Sequence, residues 1–213
     1  MDIQIKALTE EPSNAGRVRQ KNQSIILQAA EQEFLEHGYK GASLKRVAER
    51  ADIPRANVHY YYKNKDALYA AVLSHILTLW DTATITDEDD PKEVLTNYIR
   101  AKVKFSQSNP EASRIFASEI IHGAPRLLEY LETDFREWTD RVTGVFRQWI
   151  ADKKLDPVDP HHLMFLIWGS TQHYADFGIQ ICAALNKSDL TDEDYDVAAN
   201  TLVHIIIKGC GIK

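Results

Sequence analysis

Apolar residues recur along this chain three and four positions apart, the period of a helix, and no stretch keeps the alternation of a strand. The pattern is tightest from Ser43 to Leu68. Leu44, Val47, Ala48 and Ala51 share one face of a short helix, with Lys45, Arg46 and Arg50 facing out. Ser43 stands where an N-cap hydroxyl accepts from the unpaired N–H groups of the first turn. Pro54 cannot continue this helix, yet its fixed φ suits the first turn of another. Asp52 and Ile53 are therefore the turn. A second helix from about Pro54 to Tyr61 places Val58 inward and Arg55, Asn57, His59 and Tyr60 or Tyr61 on and around its exposed side. Asn64 caps the next helix, with Asp66 in its first turn. With a helix over Ile25 to His37 ahead of these, six more are predicted near 65–84, 91–107, 111–122, 125–152, 160–184 and 192–209, separated by Pro, Gly and Asp/Asn breaks. The fold class is all-α, about nine helices.

Two short helices across a tight turn, followed by an aromatic and basic run, suit DNA, because such side chains reach base edges and phosphates in a major groove. Ser43, Lys45, Arg46, Arg55, Asn57, His59, Tyr60, Tyr61 and Lys65 are the candidate contacts, Lys65 at a passing phosphate. The net charge of −6 looks wrong for such a role until it is divided along the chain. Residues 14 to 66 hold ten basic against six acidic residues, +4, whereas residues 67 to 213 come to −8. An acidic body with a basic head orients the approach to a phosphate backbone.

The head resembles the DNA-binding domain of the tetracycline-repressor (TetR) family. The resemblance is carried by Ile25 to His37 with Gly38-Tyr39, by Ala42-Ser43-Leu44, Val47-Ala48 and Ile53, and by Val58-His59-Tyr60-Tyr61-Tyr62-Lys63-Asn64-Lys65-Asp66-Ala67-Leu68. It departs at Asp52, where the family usually has Gly. Aspartate is among the few other residues that tolerate the left-handed conformation, so the turn is expected to survive with some strain.

At 213 residues and 44% hydrophobic content the chain can pack a core. It shows neither a membrane-spanning apolar run nor a signal peptide, so a cytoplasmic protein is expected. Cys182 and Cys210 read as reduced core thiols. Asp87-Glu88-Asp89-Asp90 lacks the spacing of a calcium loop, and adjacent His161 and His162 diverge on a helix, so no metal is expected. No phosphate loop or nucleophile motif is present, and neither a cofactor nor enzymatic activity is expected. The organisation is then a disordered tail over 1–16, a DNA-binding domain over 17–64 and a ligand-binding and dimerisation domain over 65–213.

His162 to Gly169 and Leu202 to Ile207 are apolar around most of a helix and need burial on several faces. A second copy can supply it, giving a homodimer with a four-helix interface, where the family resemblance also puts it, and a near-palindromic double-stranded operator. Trp168 and Gln172, four apart, share a helix face. They form either a cradle for a flat polar ring or a core indole beside an interface amide, and chemistry alone leaves both open.

The segments Val158 to Leu163, Ser170 to Phe177, and Asn109 to Phe116 with Gly123-Ala124-Pro125 look like the pyrimidine-utilisation repressors of the same family. That likeness implies a regulator of pyrimidine degradation whose effector is uracil or thymine. The ligand contacts expected are Trp80, Phe116, Trp168, Thr171 and Gln172, with Lys102, Glu119 and His122 as lesser candidates and Trp138 and Trp149 as core. Trp80 is expected to couple the ligand to the reading head along the helix that starts at Lys65. The alternatives are an unrelated effector on the same fold and an enzyme acting on a small heterocycle.

Overall fold

The computed structural model describes residues 14–79, 86 and 89–212, with side chains from residue 18 onward. It divides into two units, Met1–Val72 and Leu73–Lys213. In the first unit α1 runs from Asn14 to Gly41 and leaves the helical path at Gly38, whose φ of 62° only glycine adopts freely. The helix thus starts inside the stretch expected as a disordered tail, the rest of which lies outside the described residues. Ile26, Ala29, Ala30 and Phe34 form its buried stripe, against Val47, Ala48 and Ala51 of the next helix, Val58 of the third and Leu68, Tyr69 and Val72 of the fourth. Phe34, Tyr39 and Tyr69 meet in one aromatic cluster, Phe34 edge-on to Tyr69 at 4.6 Å.

Helices α2 (Leu44–Arg50) and α3 (Arg55–Tyr61) match the spans read from the sequence. Ser43 caps α2 through a bond from the Arg46 N–H (3.3 Å). Asp52 adopts φ 51°, the left-handed conformation expected of it. Its N–H donates to Glu49 O and that of Ile53 to Ala48 O, the paired bonds that close a helix at a left-handed residue. Aspartate fills a place that glycine occupies without strain. Asp52→Gly is therefore expected to stabilise this unit by up to about 1 kcal/mol, seen as a higher midpoint in thermal unfolding. Asn64 caps α4 (Lys65–Leu79) by accepting from the Ala67 N–H at 2.8 Å.

The second unit contains the end of α4, then α5 (Pro91–Ser108), α6 (Pro110–Ile121), α7 (Leu128–Glu132), α8 (Asp134–Ala151), α9 (Pro160–Asp176), α10 (Gly178–Leu185) and α11 (Asp192–Gly209). Asp90 and Asp159 cap α5 and α9, each just ahead of a proline in the first turn, and Thr191 with Asp194 forms a capping box on α11. Helix α5 packs on α9 and α11, and α6 on α9. Leu95, Ile99, Phe146, Trp149, Met164 and Ile167 form the centre of the core.

Two helices expected as continuous are broken. The stretch 125–152 divides at Thr133 (φ −116°, ψ −94°) into α7 and α8, its hydroxyl donating back to Glu129 O at 2.7 Å. The stretch 160–184 divides at Phe177, followed by Gly178, the poorest helix former after proline. Phe165, Leu166, Val197 and Ile205 remain exposed on α9 and α11. Cys210 is buried and Cys182 half-buried, both unbridged. No helix among the described residues is long and apolar enough to cross a membrane.

Candidate nucleic-acid and effector sites

On the reading head, Lys45, Arg55, Asn57, His59 and Tyr60 are exposed, Tyr60 at 77%. Lys45 and Arg55 border the same shallow groove beside the α2–α3 turn. Tyr61 is half-buried, its hydroxyl accepting from Asn22 Nδ2 at 3.4 Å.

Two cations expected to face DNA are also bonded within the protein. Arg46 Nε donates to Glu33 Oε1 at 2.6 Å, and its Nη2 to Gly41 O. Lys65 Nζ donates to Lys40 O and Ala42 O, both at 3.1 Å, and lies 4.7 Å from the Tyr39 ring. The group that organises Arg46 is Glu33, fully buried, which also accepts from the Ser43 N–H (3.0 Å) and from Arg50 Nε (3.3 Å). A buried carboxylate with three donors fixes α1 against the start of α2. Its signal in the sequence is a glutamate one turn beyond Ala29 on the apolar stripe of α1.

In the second unit a cavity of about 280 Å³ opens among α4 to α9. Trp168 and Gln172 line it together, as their spacing requires, and Phe116 joins them. Thr171 does not: it is fully buried, its hydroxyl donates to Ile167 O (2.7 Å), and its carbonyl accepts from Ser106 Oγ (3.0 Å). Its position on the face turned toward α5 makes it a packing residue rather than part of the wall. Trp80 lies outside the described residues; Leu77 is the α4 residue described in the wall.

Lys102 of α5, a candidate from the sequence, is in the wall. Sequence reasoning missed the rest: Tyr98 from α5, Tyr130 from α7, and Asp134, Phe135, Trp138 and Arg141 from α8. The indole N–H of Trp168 donates to Tyr98 Oη (2.8 Å), fixing the plane of the ring, and Trp138 stacks on it at 6.2 Å. Glu119 is not in the wall; it is buried and receives the Arg126 N–H at 2.9 Å.

Burial raises the Tyr98 hydroxyl to about 12, the bond from Trp168 opposing it, so Tyr98 stays neutral. Burial also draws the Lys102 ammonium down to about 8, since a charge loses stabilisation away from water. The unfolded chain then holds the extra proton between pH 8 and 10.5, so this residue opposes folding most below pH 8 and the penalty fades as pH rises toward 10.5. Lys102 is half-buried, its ammonium 5.7 Å from the Tyr98 ring, so Lys102→Met is expected to flatten the pH dependence of the thermal midpoint between about pH 8 and 10, checked by melts run across that range. Among the described residues no group of three His, Cys, Asp or Glu side chains could hold a metal ion.

A helix-turn-helix head and a helical unit built around an aromatic cavity define a ligand-responsive DNA-binding regulator of transcription. The profile of the tetR family of bacterial regulatory proteins matches residues 26–72, and that of the YcdC-like protein C-terminal region matches residues 73–213. The chain belongs to the tetR family. It is 38% identical over 187 residues to the HTH-type transcriptional regulator RutR of Escherichia coli O157:H7, covering 86% of this chain and 88% of that protein. The same fold occurs in SCO4942 from Streptomyces coelicolor, with a TM-score of 0.69 and 22% identity over 90% of this chain and 99% of that one. It recurs in AibR, solved in complex with isovaleryl coenzyme A and operator DNA, with a TM-score of 0.65 and 17% identity over 86% and 97% of the two chains.

Proposed function

We propose that this protein is a cytoplasmic homodimeric repressor of pyrimidine catabolism that holds a near-palindromic operator and releases it when uracil or thymine binds. The observation that carries the reading is the Trp168 indole, held flat by Tyr98 and stacked on Trp138, with the Gln172 amide one turn along the same face. A planar ring stacks on the indole while the amide offers one donor and one acceptor to a C=O and N–H pair. A cavity of about 280 Å³ suits one small ring. The exposed Phe165, Leu166, Val197 and Ile205 give a second copy an apolar surface to cover. Leu77 in the wall and Lys65 in the head are on one helix, α4, which is the path by which occupancy reaches the DNA contacts. Release requires the effector to favour the state that does not hold DNA, since equal affinity for both states shifts nothing.

The test is a thermal-shift panel of uracil, thymine, dihydrouracil and unrelated metabolites, followed by gel shift on operator DNA. Uracil or thymine should raise the midpoint and release the operator; stabilisation by an unrelated compound alone would replace the pyrimidine reading. Gln172→Ala should weaken the effector response about tenfold with operator affinity near that of the parent, measured in the same gel shift. On the head, Arg55→Ala is expected to lower operator affinity and relax sequence preference, checked by titrating operator variants.

A further inference from the structure

Asp134 is the one carboxylate among the described residues of the cavity wall, and the packing register shows which groups it shares an end with. Helices α8 and α9 run antiparallel here. Trp138 stacks on Trp168, while Asp140 lies 4.0 Å from His161. Stepping back one turn along α8, from Trp138 to Asp134, therefore follows α9 forward from Trp168 toward Gln172. Helix α5 runs in the same sense as α9: Tyr98 pairs with Trp168, and Ser106 bonds the carbonyl of Thr171, with Lys102 in between. Lys102, Asp134 and Gln172 accordingly lie toward the same end of the tryptophan stack, Asp134 close enough to Tyr130 to add to the rise that burial gives its hydroxyl, and Arg141 lies the other way.

Their hydrogen-bonding capacities are complementary. An ammonium only donates, a carboxylate only accepts, and a carboxamide does both. A ring lying on Trp168 meets these groups with its edge, so the edge they match alternates C=O with N–H. We propose that Asp134 is a specificity-determining residue of the effector site, accepting a ring N–H and so selecting cyclic imides and ureides with that nitrogen unsubstituted. The inference rests on the Trp168–Gln172 pocket proposed above and adds a requirement that stacking and the amide do not impose. Asp134 also begins α8, where an acid favours the helix N-terminus, but Glu137 in the same turn supplies that effect without facing the cavity.

The test uses the full chain with uracil, 1-methyluracil and 3-methyluracil, titrated calorimetrically against the parent, Asp134→Ala and Asp134→Asn. In the parent, one of the two methylated rings should bind at least about tenfold more weakly than uracil, because a polar site left unpaired rejects the analogue strongly. In Asp134→Ala the same pair should come within about twofold as uracil itself weakens, and Asp134→Asn, which keeps a carbonyl acceptor, should fall between. A methylation penalty that is the same in Asp134→Ala and the parent would overturn the assignment. Absence of any uracil binding by the parent would instead remove the pocket reading beneath it. Circular dichroism and the thermal midpoint of each variant separate loss of contact from loss of fold.

Discussion

Glu33→Ala is expected to cost about 3 kcal/mol and to lower the unfolding midpoint of the first unit sharply, because it removes the acceptor at the centre of a buried charge cluster. Arg46 and Arg50 would lose their inward partner, and the Ser43 N–H its bond at the α2 cap. The figure sits at the low end for a broken buried pair, since the Arg46 side chain keeps 42% of its exposure and Arg50 28%, leaving both able to recover water. Glu33→Gln, which keeps the shape and one acceptor, should cost less. Chemical denaturation followed by helical circular dichroism measures both. Operator binding should fail in Glu33→Ala while the second unit still binds effector, so calorimetry on the same sample distinguishes local unfolding of the head from collapse of the whole chain.

Trp168→Ala is expected to weaken effector binding at least about thirtyfold, the upper part of what losing one ring-stacking aromatic costs. It removes the surface on which the ring lies, leaves the Tyr98 hydroxyl without its indole donor and takes away one partner of the Trp138 stack. Trp168→Phe keeps a plane but not the bond to Tyr98, so its response should fall between the parent and the alanine variant. Effector-dependent gel shift reads both, with operator affinity in the absence of effector as the control. An alanine variant that still releases operator at the parent's uracil concentration would move the effector site elsewhere.

The reading head was legible because its determinants are local. Ser43, Pro54 and Asn64 act within a turn or so of themselves, and Asp52 takes the left-handed conformation that its type and position between two helices require. The inward bonds of Arg46 and Lys65 are not legible in the sequence, because a helical period gives the direction of a Cβ but not of a long, flexible side chain. Glu33, thirteen residues away from Arg46, and the carbonyls of Lys40 and Ala42 decide where those two cations go. The cavity divides in the same way. Trp168 and Gln172 share a helix face and could be paired from spacing alone. Tyr98, Asp134 and Trp138 join them only through the register of α5 and α8 against α9, and Trp138 reads as core because an indole on an amphipathic helix is ordinarily buried. The break at Thr133, with neither Gly nor Pro beside it, left no signal in the sequence.

The stacked pair Trp138 and Trp168 makes the protein its own optical reporter. Indole emission responds to whatever touches the ring, and one of these two rings is the surface on which the effector is expected to lie. Trp149, wholly enclosed and stacked on Phe146, emits from surroundings that the effector does not enter. Occupancy can thus be followed in unlabelled protein and in real time, so the arrival of the small molecule can be timed without a dye.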